Sequence, residues 1–175
     1  MHHGQLDVVI PCYNYGRYVH DAVASALAQE GFATKVVVVD DGSTDDTADV
    51  LAEFPGSQVV LTRIDSPRGA ANARNVGAEM SDGEFLAFLD ADDLWPLSRS
   101  STFVSLLGSA DQLACGAVEE FSVDSEGRMV RRRAVRAGTS LGAMLMRRAT
   151  FEQVGDFDTS YSVGENIDWD YPEFG

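Results

Sequence analysis

Asp90-Ala91-Asp92 follows directly on the apolar run Phe85-Leu86-Ala87-Phe88-Leu89 and sets two carboxylates at positions i and i+2. In an extended segment such residues point the same way, so both acids can face one ligand. Carboxylates that close repel each other unless a cation or a shared proton relieves them. Oxygen-only donors suit Mg²⁺ or Mn²⁺, and a cation holding a diphosphate is the relief this chemistry points to. The apolar run reads as a strand buried on both faces. In an open α/β sheet the carboxyl edge of such a strand is where ligands bind. Asp93 extends the acidic run, and Trp95-Pro96 closes the loop.

Three weaker signals stand at other predicted strand ends. Pro11-Cys12-Tyr13-Asn14-Tyr15 follows the run over 7–11, which the proline is expected to end. A tyrosine there can stack on a nucleobase and hydrogen-bond outward; a tyrosine capping the core would look the same. Asp40-Asp41-Gly42-Ser43-Thr44 offers a carboxylate to a base N–H or a ribose hydroxyl, although ordinary turn and helix-cap chemistry also explains it. It is not a calcium hand, because Gly42 comes too early in the acidic run. Arg68-Gly69-Ala70 leads through Arg74 to Asn75 at the start of a predicted helix, where free N–H groups and an arginine favour a phosphate or a polar base edge. A surface arginine is the commoner explanation. Near the C-terminus, Glu165-Asn166-Ile167-Asp168 could supply a base, or be an acidic tail.

These residues need elements to position them. Strands are expected over 7–11, 35–40, 58–64 and 84–89, alternating with helices over 18–29, 44–53 and 70–80. Ser43 or Thr44 is the expected N-cap of the second helix. A further helix over 98–107, a strand over 113–121, a hairpin turning at 124–127, a strand over 143–146 and a short helix over 148–154 complete the chain. Strand–helix alternation with short loops predicts an α/β fold: a doubly wound, mostly parallel sheet with helices on both faces. No repeat or linker interrupts it, so residues 1–175 read as one domain.

Composition narrows the function. The chain has 175 residues, 45% hydrophobic and 23% charged, as a folded domain should. A formal charge of −15 argues against a nucleic-acid partner, which needs clustered Lys and Arg. The basic cluster of Arg128, Arg131, Arg132, Arg133 and Arg136 is too local to reverse that. No apolar run approaches the ~20 residues of a membrane span. Cys12 and Cys115 lack metal-ligand spacing and read as reduced thiols of a cytoplasmic protein.

In order along the chain, VVIPCYNYGRYVHDAVASALAQ, VVVVDDGSTDDT, GAANARNVGAEMSDGEFLAFLDADDLW and LMRRATFEQVGDFD closely resemble the family-2 glycosyltransferases of the GT-A fold. The resemblance runs from about residue 6 to about residue 170. It implies a Rossmann-like nucleotide-sugar-binding domain, metal-dependent through Mn²⁺ or Mg²⁺ and inverting at the anomeric carbon. By the same resemblance Pro11 and Tyr13 wall the uridine pocket, Asp41 holds the uracil ring and Arg74 neighbours the base. Asp92 becomes the direct metal ligand, with Asp90 nearer the ribose or the metal's water shell. The family's base is the Asp of a late Glu-Asp pair, and this chain departs from it with Glu165-Asn166. Asp168 is then the expected base and Glu165 the second choice.

The implied activity is transfer of a sugar from a UDP-sugar to a hydroxyl of a saccharide, lipid or protein acceptor. The expected location is cytoplasmic, with a peripheral position at the inner membrane face as an alternative. Family members continue past the point where Gly175 ends the sequence, so the domain reads as truncated at its C-terminus. Asn166 and the short end motivate one alternative, a module that binds nucleotide sugar without turnover. A haloacid-dehalogenase-type phosphatase is the other. There the motif sits on the first strand and is followed two residues later by Thr or Val; here it follows the fourth strand and the matching position is Leu94.

Overall fold

A computed structural model describes residues 4–107, 113–126, 128–131, 136–137 and 140–160. Its centre is a six-stranded sheet in the order β3-β2-β1-β4-β10-β5. The strands are β1 (Gln5–Cys12), β2 (Ala33–Asp40), β3 (Val59–Arg63), β4 (Phe85–Phe88), β5 (Leu113–Cys115) and β10 (Met144–Arg147). The first four are parallel, and β2, with four Val residues in succession, shows the uninterrupted apolar run of a strand buried on both faces. β10 runs antiparallel between β4 and β5, so the sheet is mixed at that side.

Helices α1 (Gly16–Leu27) and α3 (Ala70–Glu79) cover opposite faces. Val19, Ala22, Val23 and Ala26 of α1 form an apolar stripe that packs with Leu6, Val8 and Ile10. The alternate side chains of the sheet, Val9, Val37 and Val39, pack with Ala71, Ala73 and Ala78 of α3. Gly77 is required at that contact, because a Cβ there would lie 2.3 Å from Val9 Cγ1. The short helix α2 (Thr47–Leu51) and α4 (Arg99–Leu106) join the α1 face, and α5 (Arg148–Val154) joins the α3 face. Asp7, fully buried in β1, accepts from the N–H groups of Asp82 at 2.6 Å and Gly83 at 2.8 Å, fixing the turn that launches β4. No helix among the described residues is long and apolar enough to cross a membrane.

The sequence expectations are corrected in three places. Pro11 does not end β1; the strand continues to Cys12, with Pro11 opposite Val39. β4 accompanies β1 only as far as the Leu89 N–H bond to the Val9 carbonyl. The N–H that Pro11 lacks would face the side β4 has already left, so no ladder bond is lost. The strand expected over 113–121 is broken into β5, β6 (Ala117–Val118) and the start of β7 (Phe121–Val123). It breaks at Gly116, whose N–H turns to the Ala143 carbonyl and whose Cβ position would lie 2.4 Å from the Phe103 ring. Helix α2 starts at Thr47, and neither Ser43 nor Thr44 caps it. The expected hairpin is present as β7 paired with β8 (Met129–Arg131), and β6 pairs with β9 (Arg136–Ala137).

Candidate functional site

The chain winds outward from β1 through β2 to β3, then returns by α3 to place β4 on the other side of β1. The two inner strands therefore send their loops apart, and a crevice opens at their carboxyl ends. A cavity of about 350 Å³ occupies it, lined by Pro11, Tyr13, Tyr15, Asp41, Asp90 and Asp92 with Pro67, Gly69 and Ala73. The five residues expected at the site from three separate strand ends, Pro11, Tyr13, Asp41, Asp90 and Asp92, thus share one wall system. Tyr13 is 46% exposed, with its ring available to a ligand.

Asp40 and Asp41 diverge. Asp40 turns inward, accepting from the Ser43 N–H at 2.8 Å and from Arg63 Nη1 at 2.8 Å. Asp41, also buried, turns to the cavity and accepts from the N–H of Arg68 at 2.9 and 3.0 Å and of Gly69 at 2.8 Å. The carboxylate that borders the cavity is therefore already tying down the turn ahead of α3. A carboxylate offers about four acceptor positions, so it retains capacity for one further donor. Gly42 takes φ +83°, which lets the chain turn sharply away between the acids and α2. Ser43 and Thr44 are used across the site rather than as caps: the Asn14 N–H donates to Ser43 Oγ at 2.9 Å, and the Thr44 N–H to Asn14 Oδ1 at 2.8 Å.

The acidic run after β4 is a turn. The Asp93 N–H donates to the Asp90 carbonyl at 3.0 Å, so Asp90 and Asp92 reach one cavity through turn geometry and not through the two-residue period of a strand. Arg74 lies beneath, its side chain 4% exposed, and donates from Nη2 to Asp90 Oδ1 at 2.9 Å. The resemblance set Arg74 beside the base; the structure shows it paired with a carboxylate of the cavity wall. Among the described residues Asp92 has no hydrogen bond or ion pair. The uncompensated charge is felt nearby. Burial first, then the charges of Asp90 and Asp92, push the Asp93 carboxyl up to about 6. The Tyr15 phenol is raised chiefly by Asp92.

Tyr15 was legible in the sequence as the second aromatic of its loop, but nothing there assigned it to the site. Its carbonyl receives the Tyr18 and Val19 N–H groups at 2.9 Å, so the start of α1 holds it at the cavity. Glu165 and Asp168 lie outside the described residues. Among those described, no three His, Cys, Asp or Glu side chains group to hold a metal ion. The donor set, one carboxylate with no partner among the described residues and one shared with Arg74, fits a Mg²⁺-like ion that draws its other ligands from phosphate and water.

Cys12 lines this cavity yet is only 2% exposed, and burial pushes its thiol up to about 11. At pH 8 on the order of one thiol in a thousand would then be ionised. Titration of the native chain with a disulfide reagent at pH 8 is expected to modify the exposed Cys115 rapidly and Cys12 only after unfolding. Two thiols reacting at equal rates would contradict the burial.

The family model described as "Glycosyl transferase family 2" matches residues 7–165. A curated relative from Escherichia coli is the "UDP-Glc:alpha-D-GlcNAc-diphosphoundecaprenol beta-1,3-glucosyltransferase WfaP", 31% identical over 102 residues. That alignment covers 58% of this chain and 41% of the relative, so the chain spans less than half of its length. Among solved structures, Staphylococcus aureus TarS 1-349 in complex with UDP superposes with a TM-score of 0.69 at 20% identity, covering 94% of this chain and 53% of that one. The mannosyltransferase PcManGT of Pyrobaculum calidifontis, in complex with GDP-Man and Mn²⁺, gives 0.69 at 21% identity, covering 93% and 50%.

Proposed function

The chain belongs to glycosyl transferase family 2 and has the GT-A fold, and on that premise we propose that it moves a sugar from a UDP-sugar to an acceptor hydroxyl with inversion. The observation that carries this reading is the convergence of Tyr13, Asp41 and Asp92, from three different strand ends, on one cavity at the β1/β4 crevice. Tyr13 and Pro11 supply walls for a flat base, and the spare acceptor capacity of Asp41 suits a ring N–H. Uridine is supported by the UDP-Glc donor for which WfaP is named; the GDP-Man complex of PcManGT makes guanosine the alternative that the titration must compare.

Asp92 would hold a divalent ion, Mn²⁺ or Mg²⁺, with Asp90 contributing through the ribose or the ion's water shell. When bound, such an ion offsets the charge that develops on a departing diphosphate. Arg74 holds Asp90 in place and balances its charge. Asp168, or Glu165 in its stead, would take the proton of the acceptor hydroxyl as that oxygen attacks the anomeric carbon opposite the leaving group. A single displacement of this kind inverts the centre. The phosphatase alternative loses its basis with the family assignment, since the Asp-x-Asp pair here follows β4.

The acceptor class follows from no residue of the donor cavity. WfaP is named for an acceptor carried on diphosphoundecaprenol. An acceptor of that kind would hold this chain at the cytoplasmic face of a membrane as a peripheral protein.

Calorimetric titration with UDP, with and without Mn²⁺, followed by assay of donor hydrolysis and transfer, tests the reading. Mn²⁺-dependent UDP binding with turnover is the expected outcome. Binding without any turnover would favour the module that holds nucleotide sugar and does not react it, and absence of UDP binding in the presence of Mn²⁺ would defeat both.

A further inference from the structure

The loop between β1 and α1 carries two rings of the cavity wall, Tyr13 and Tyr15, and they are not equally secured. Before them, Cys12 is the last residue of β1, and its carbonyl receives the Asp41 N–H at 2.8 Å. After them, the first turn of α1 holds Tyr15 through its carbonyl. Tyr13 makes no hydrogen bond among the described residues, and its ring is largely exposed. Its place at the cavity is therefore inherited from the residue that follows it.

That residue is Asn14. Among the described residues it is the one non-glycine in the left-handed region, at φ +59°. Few side chains accept this conformation, asparagine being among those that do, and such an outlier persists only where its surroundings hold it. Here the loop after β2 does the holding. The Asn14 N–H donates to Ser43 Oγ at 2.9 Å, and Asn14 Oδ1 receives the Thr44 N–H at 2.8 Å. Backbone and side chain of one residue thus clasp two consecutive residues of the other loop. Gly16 adds a second tie, its N–H donating to Asp45 Oδ2 at 3.0 Å, but that tie lies beyond Tyr15, at the start of α1.

Asn14, Ser43 and Thr44 do not line the cavity, whereas Tyr13 in the first loop and Asp41 ahead of the second do. The clasp therefore joins the loop that bears the ring to the loop that follows the carboxylate, past the point where the β1–β2 ladder ends. A flat base needs both at a fixed spacing. Its stacking requires the ring face at van der Waals distance, and its N–H requires an acceptor within about 3 Å.

We infer that Asn14 is a positioning residue for donor binding: by fastening the β1–α1 loop to the β2–α2 loop it sets the Tyr13 ring at the spacing from Asp41 that a nucleotide base fills. The inference rests on the nucleotide reading of the cavity. It goes further in giving a part in donor affinity to Asn14 and Ser43, neither of which borders the cavity.

The test is calorimetric titration of the 175-residue chain and its variants with UDP and with GDP, each with Mn²⁺. Asn14→Gly keeps access to the left-handed backbone and removes the clasping oxygen. Ser43→Ala removes the acceptor of the Asn14 N–H from outside the cavity. Each should weaken the nucleotide that the parent binds by about fivefold, as one lost hydrogen bond can, with the circular dichroism unchanged. Tyr13→Ala should weaken it about tenfold, within the range for one stacked base. The decisive chain carries Asn14→Gly and Tyr13→Ala together. With no ring left to place, losing the clasp should cost nothing further, and the double variant should bind as Tyr13→Ala does. Losses that multiply would mean that Asn14 contacts the ligand or only supports the fold, and would overturn the role. Parental affinity in either clasp variant would overturn it too, while leaving the nucleotide reading in place. A parent that binds neither nucleotide would instead remove that reading, and this role with it.

Discussion

Replacing Asp92 by Ala is expected to lower turnover of a sugar nucleotide by on the order of 10²-fold or more with saturating Mn²⁺, as when one preorganised charge-stabilising group is removed. The expectation comes from how differently the acids of the loop are placed. Asp90 is partnered by the buried Arg74, and Asp93 lines a neighbouring cavity. Asp92 alone combines a place in the cavity at the β1/β4 crevice with a carboxylate that no described residue uses. Its removal should leave the fold intact, since no hydrogen bond to a described residue is lost, and should weaken Mn²⁺-dependent UDP binding together with the rate. Asp90→Ala should behave otherwise, leaving the Arg74 charge buried without this partner, and cost stability as well. Parental turnover in Asp92→Ala, with metal supplied, would show that the residue has no such role. A variant that loses activity only because it unfolds would be exposed by its circular dichroism.

Asp41→Ala should have the second largest effect, and on two observables at once. The carboxylate is 4% exposed and accepts from the N–H groups of Arg68 and Gly69. Deleting it leaves those donors without their acceptor, at about 1–3 kcal/mol for each that stays buried. The midpoint of urea unfolding should fall accordingly, with the slope unchanged. The turn over 67–69, which forms part of the cavity wall, loses its anchor. UDP affinity should therefore drop even under conditions where the variant remains folded. If Asp41→Ala binds UDP as the parent does, Asp41 is a structural clasp and does not contact the base. Asp41→Asn separates the two roles less well, because it keeps one acceptor oxygen and turns the other position into a donor facing two N–H groups.

The elements were legible because each is a local matter. Four Val residues in succession before Asp40 can only be a strand covered on both faces, and Val19, Val23 and Ala26 can only face one way on a helix. Helix α5 occupies Arg148–Val154, as its pattern predicts. What misled was chemistry with two local solutions. Ser43 and Thr44 are good helix caps, yet Asn14, 29 and 30 residues away in sequence, takes them first. Pro11 usually stops a ladder, yet here the neighbouring strand has gone before the missing N–H matters. The antiparallel insertion of β10 had no signature in its own residues, because an apolar run is the same read in either direction.

The amino-acid sequence by itself determined which side chains stand at the carboxyl ends of β1, β2 and β4, because strand ends are set by where apolar runs stop. Tertiary structure alone decided their duties. Arg74 reaches Asp90 across 16 residues, and Asp41 clasps the turn at Arg68 across 27. Such pairings depend on which strand returns beside β1, and no local pattern encodes that. The same holds for Asn14, whose clasp on Ser43 and Thr44 exists only once β1 and β2 lie side by side.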